Sequence, residues 1–166
     1  MRDEINKLFA RIEEIKRECG ITREITVVAA TKTVSPERIN ELPKYGIKIA
    51  GENRVQELLD KYDEANGLEW HFIGALQTNK VKYIIDKVSL IHSVDREALA
   101  DEIDRQAEKR GIIANVLVEI NVGGETSKSG VSPDRAKSLI DYVAAKKRVR
   151  LKGIMSVLPI NATDEQ

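Results

Sequence analysis

Apolar residues at Ile5, Leu8, Phe9, Ile12 and Ile15 recur at the spacing of one helical face, and Gly20 is placed to end that helix. Past Gly20 the pattern changes. Short runs rich in Val and Ile, at residues 25–30, 47–50, 70–73, 88–91, 116–122 and 151–157, alternate with longer amphipathic stretches at 36–42, 54–65, 79–85, 96–109 and 133–146. The short runs are almost continuously apolar, the pattern of strands covered on both faces. Ser35-Pro36 and Ser132-Pro133 predict helices capped by Ser with Pro in the first position, and Gly111 closes another. A helix followed by repeated βα units, about six strands in all, requires a parallel sheet with right-handed crossovers. An open doubly wound sheet and a (β/α)8 barrel both satisfy that pattern. A full barrel takes ~250 residues, so the 166 present favour the open sheet on periodicity alone. The run at 151–157 reads as a strand, and 159–166 follows without another helix, which predicts an incomplete unit within a single 1–166 domain.

Composition narrows the partners. Apolar residues are 42% and charged residues 33%, as in globular chains. Lys plus Arg and Asp plus Glu both number 27, so no net charge favours nucleic acid or an anionic membrane. The lone Cys19 has no internal disulfide partner, the charged start is unlike a signal peptide, and no apolar run approaches the roughly 20 residues of a membrane span. Cytoplasmic residence is the expectation.

In parallel α/β folds the chemistry sits at the carboxyl ends of the strands. Lys32 follows the apolar stretch VVAAT, where a partly desolvated amine suits attack on an aldehyde; a lysine snorkelling to solvent fits the same position. Gly51-Glu52-Asn53-Arg54 reads either as a turn with Asn53 capping a helix or as a ligand contact through the Asn53 amide. His71 lies between bulky apolar neighbours, and neither it nor His92 has a Cys or His at metal-ligand spacing. The polar loop 121–130 contains Gly123-Gly124 without the order of a phosphate-binding P-loop, and GxGxxG and GxSxG are absent.

Taken together, Val28-Ala-Ala-Thr-Lys32-Thr, Gly51-Glu-Asn-Arg-Val-Gln-Glu57, Trp70-His-Phe-Ile-Gly-Ala-Leu-Gln-Thr-Asn-Lys80, the stretch from Asn121 to Gly130, and Gly153-Ile-Met-Ser resemble one family in order and spacing over essentially the whole chain. It is the family of pyridoxal phosphate homeostasis proteins, related to the N-terminal domain of alanine racemase. The resemblance implies a (β/α)8 barrel, here an incomplete one of about six parallel strands with an extra N-terminal helix. It implies pyridoxal 5′-phosphate held at the strand ends as a Schiff base on Lys32. Asn53 is expected near the cofactor, with His71, Asn121, Met155 and Ser156 facing the same cavity. It further implies a carrier that buffers a reactive aldehyde and lacks racemase activity.

Two departures stand out. Val34 replaces a polar residue common after Lys-Thr in the family, and the family's later Ser/Gly-rich and Arg-Ile-Gly segments, which supply its phosphate cup, have no counterpart in these 166 residues. Weak retention of the cofactor and self-association through exposed sheet edges are therefore expected. A racemase-like enzyme and a fragment without cofactor binding are the alternatives; Tyr45, Tyr62, Tyr83 and Tyr142 all fall in predicted helices or their flanks rather than at strand ends.

Overall fold

The structure, a computed structural model, describes residues 2–123 and 129–158. The centre of the 121–130 loop and the stretch 159–166 lie outside the described residues. Helix α1 (Arg2–Glu18) precedes six strands: β1 (Val28–Ala30), β2 (Ile49–Glu52), β3 (Glu69–Phe72), β4 (Leu90–Val94), β5 (Ala114–Glu119) and β6 (Val149–Met155). Helices α2 (Pro36–Ile39), α3 (Val55–Tyr62), α4 (Val81–Ile84), α5 (Glu97–Arg110) and α6 (Pro133–Ala144) connect them in turn, with 3-10 turns at Leu42–Tyr45 and Thr78–Lys80.

All neighbouring strands are parallel and their order is sequential, β1 to β6. That is the order of a barrel wall; a doubly wound sheet reverses direction partway. Among the described residues β1 and β6 do not meet, so the wall is open. This explains one difference from the sequence pattern. Residues facing the helices, such as Ala50, Phe72, Ile91, Val116 and Val118, are fully buried. They pack with Leu58, Ile84, Leu99, Ile103, Leu139 and Val143 as the core, each large side chain contributing roughly 1.5–3 kcal/mol. Alternate positions, including Val28, Ile49, Leu90, Leu117 and Met155, turn to the inner face and are only half-buried. The strands are covered on one face, because among the described residues no opposite wall stands across the inner one.

Other differences are local. Ser35 and Ser132 precede their prolines as expected, but neither makes a side-chain cap hydrogen bond. The neighbouring serine hydroxyls, with the backbone N–H groups of the first turn, hold the carboxyls of Glu37 and Asp134 below the usual carboxylate range. Helix α1 buries none of its residues fully; Ile5 and Phe9 rest against the core while Leu8 stays 45% exposed. Gly20 and Gly111 end their helices in the left-handed conformation that glycine adopts without a Cβ clash.

Candidate functional site

A cleft of about 340 Å³ opens at the carboxyl ends of the strands, lined by Lys32 and Asn53 beyond β1 and β2, by Ile73, Gly74 and Ala75 beyond β3, and by Glu119 and Asn121 at the end of β5. Val157, beyond β6, and Ser129 face it from the far side, and Ala30 and Gly51 form part of its floor. The volume falls within the roughly 300–1,000 Å³ usual for small-molecule sites.

Register explains which side chains meet there. Ala30, Gly51 and His71 are paired across β1, β2 and β3 and form one layer. Two residues further along each strand come Lys32, Asn53 and Ile73, which share the cleft one layer higher. The expectation that His71 faces the cavity therefore differs from the structure. Its imidazole is buried a layer down, with Nδ1 at 2.9 Å from Nε2 of His92. Met155, the last residue of β6, pairs with Glu119 of β5 but does not line the cleft; Val157, two residues on, reaches it. Ser156 points the other way, donating its hydroxyl to the Ile120 carbonyl at 2.8 Å. Of the residues named from the sequence, Lys32, Asn53 and Asn121 come together; His71, Met155 and Ser156 are not among the lining residues.

The amine is not desolvated as expected: Lys32 is exposed at the mouth of an open cleft. It is nonetheless beside the neighbouring strand ends, with Gly51 and Asn53 on the same wall. Asn53 is not a helix cap, because the cap position of α3 belongs to Arg54 and carries no side-chain cap bond. Its Oδ1 is buried without a hydrogen-bond partner. A buried acceptor left unsatisfied costs free energy, and such groups commonly await a ligand or water.

Glycines shape the site. A Cβ on Gly51 would stand 3.0 Å from Val28 Cγ1 and 3.1 Å from Ile73 Cδ1. Gly130, at φ +115°, packs against the backbone of Asn121, where a Cβ would approach the amide nitrogen to 2.7 Å. The bridge Ile120–Val131 and the bond from Asn121 N–H to the Val131 carbonyl (2.9 Å) then fix Asn121 at the rim.

Glu119 is the lining residue that sequence reasoning passed over. It is buried, and its carboxyl is pushed above the usual range first by desolvation and then by the nearby Asp95. The signal was present: an acid inside the apolar run VLVEINV has to face something polar or hold its proton. The two histidines are both held below the ordinary imidazole range, chiefly by burial, with His92 lowered to about 4. No group of three or more His, Cys, Asp and Glu side chains suited to a metal occurs among the described residues. None of the described helices is long and apolar enough to cross a membrane.

The cleft fits a small aldehyde in three respects: an accessible primary amine, an unsatisfied amide oxygen, and a floor and wall of Ala and Gly that leave room for a flat ring. Residues 4–166 match the family of the alanine racemase N-terminal domain. A pyridoxal phosphate homeostasis protein of Aquifex aeolicus is 46% identical over 160 residues, which cover 95% of this chain and 70% of that relative. Among solved structures, a protein of unknown function from Bifidobacterium adolescentis superposes with a TM-score of 0.85 at 31% identity, covering 99% of this chain and 71% of that one. PipY of Synechococcus elongatus with pyridoxal phosphate bound gives a TM-score of 0.73 at 27% identity, covering 91% and 72% of the two chains. This chain belongs to the alanine racemase N-terminal domain family and, within it, to the pyridoxal phosphate homeostasis proteins.

Proposed function

We propose that this chain binds pyridoxal 5′-phosphate in the cleft at the strand ends, with the aldehyde carbon joined to Lys32 as a Schiff base, and serves as a carrier of the cofactor. The observation that carries the reading is the convergence of Lys32, Asn53 and Asn121 on one cleft of ligand size. Lys32 supplies the nucleophile once its ammonium has given up a proton. The Asn53 Oδ1, free of any protein partner, accepts a hydrogen bond from the bound molecule, and Asn121 closes the opposite rim. When bound, the cofactor brings an aldehyde that stays in equilibrium with free amine and water, which is what a reversible carrier requires.

PipY, the related protein with the cofactor bound, supports the ligand assignment. Self-association along β6 belongs to the same reading, since Ile154 on that edge strand is 62% exposed.

The test is a cofactor titration followed by absorbance, then borohydride reduction and mass spectrometry of the trapped adduct. The expected result is one adduct, on Lys32, absent from Lys32→Ala. Equal spectra from wild type and Lys32→Ala defeat the proposal, and a sedimentation profile independent of concentration defeats its self-association part.

A further inference from the structure

We propose that Glu52 and Lys61 are positioning residues for Lys32: a buried ionic clamp that fixes the turn from which the amine is presented. The inference rests on the Schiff-base reading of Lys32 and deepens it.

Glu52 ends β2 with its side chain wholly buried. Its Oε1 accepts hydrogen bonds from Lys61 Nζ at 2.7 Å and from Thr31 Oγ1 at 2.9 Å. Lys61, near the end of α3 and only 11% exposed, also donates to the main-chain carbonyl of Thr31 at 3.0 Å. One ammonium thus joins the helix, the strand and the backbone immediately before Lys32. The residue after Lys32 is held too. The Thr33 N–H donates to Glu57 Oε2 at 3.3 Å, and that same oxygen lies 3.5 Å from Lys61 Nζ.

Between these two grips the backbone is strained. Thr33 has φ 63°, the one positive value at a non-glycine position among the described residues. The left-handed region is unfavourable for a β-branched residue and persists only where surrounding contacts over-determine it. The bonds to Thr31 and Thr33 are those contacts, and the bond from Val34 N–H to the Thr31 carbonyl (2.9 Å) closes the turn. Stability alone is a poor reason for such a network, because burying both charges costs much of what their attraction returns. A fixed geometry at the residue between the grips is a better one. Condensation there forms one C=N bond, releases one water and needs no oxidant or reductant. The clamp contributes by narrowing the positions the amine samples.

Two measurements test this on the full chain: the rate of condensation with pyridoxal 5′-phosphate, and amide hydrogen exchange at Thr33 and Val34. In Lys61→Met the expected results are condensation about tenfold slower and faster exchange at both amides, with the adduct still on Lys32. Lys61→Arg should restore part of each. Unchanged rate and exchange in a folded Lys61→Met overturn the clamp while leaving the Lys32 assignment in place. Absence of any Lys32 adduct in wild type defeats that assignment and the positioning role with it; exchange then reports only whether the grips are present. Should Lys61→Met fail to fold, Glu57→Ala carries the same readouts through Thr33, and no change there overturns the proposal.

Discussion

Gly74 lies so close under Asn53 that a Cβ at position 74 would be 2.2 Å from the Asn53 carbonyl oxygen and 2.6 Å from its Cα. The contact is with backbone, so rotation of a side chain cannot relieve it. The turn after β3 therefore sets how far Asn53 reaches over the cleft. Gly74→Ala should displace the Asn53 loop and weaken cofactor uptake by about tenfold or more. A cofactor titration beside a melting curve checks this; uptake equal to wild type would show that the loop position is immaterial.

Glu119 faces the cleft with its carboxyl pushed up by desolvation and by Asp95. A folded-state value above the unfolded one means the acid form favours folding. That contribution is full below the unfolded value, about 4.3 for Glu, and is lost as pH rises through the folded value. Glu119→Gln keeps the shape and removes the charge. It should match wild type near pH 4 and be the more stable of the two at about pH 8, by chemical denaturation. A variant less stable than wild type at the higher pH would contradict a protonated role.

His92 acts in the opposite sense. Burial, with His71 beside it, lowers its imidazole to about 4, so in acid the unfolded chain binds a proton that the folded chain refuses. Its contribution is full above about pH 6.5 and is lost progressively as pH falls toward 4. Between pH 7.5 and 5 wild type should lose roughly 1–2 kcal/mol more than His92→Gln. Because Glu119 and His92 oppose one another, each is read by difference against its own variant.

These groups also mark how far the sequence was legible. The Val- and Ile-rich runs mark the six described strands, because their helix-side positions are mostly apolar; Glu52, buried on that side, is an exception held by Lys61. Lys32, Asn53 and Asn121 were found as polar residues at strand ends. The depth of a side chain within the wall depends on register between strands that are far apart in sequence. His71 was therefore placed a layer too high, with Ile73 taking the level of Lys32. The meeting of His71 with His92 has the same origin, for β4 pairs Leu90 opposite His71 and leaves His92 two residues on. Glu52 and Lys61 were hidden differently. In a chain with 27 acidic and 27 basic residues, one buried pair looks like any pair on a solvated helix face.

That pair allows stability and presentation of the amine to be separated. Removing Lys61 alone leaves the fully buried Glu52 carboxylate without its cation, a change that typically costs about 3–5 kcal/mol. Replacing both residues with Met removes both desolvation penalties and keeps apolar volume, so the double variant should recover most of the loss. It still lacks the ammonium on the Thr31 carbonyl and the Glu52 carboxylate that accepts from the Thr31 hydroxyl, which keeps only the Gly51 carbonyl at 3.3 Å. Its melting temperature should therefore approach that of wild type while condensation at Lys32 stays slow. If rate and stability recover together across Lys61→Met and the double variant, the ionic pair serves the fold alone, and the position of Lys32 depends on something else.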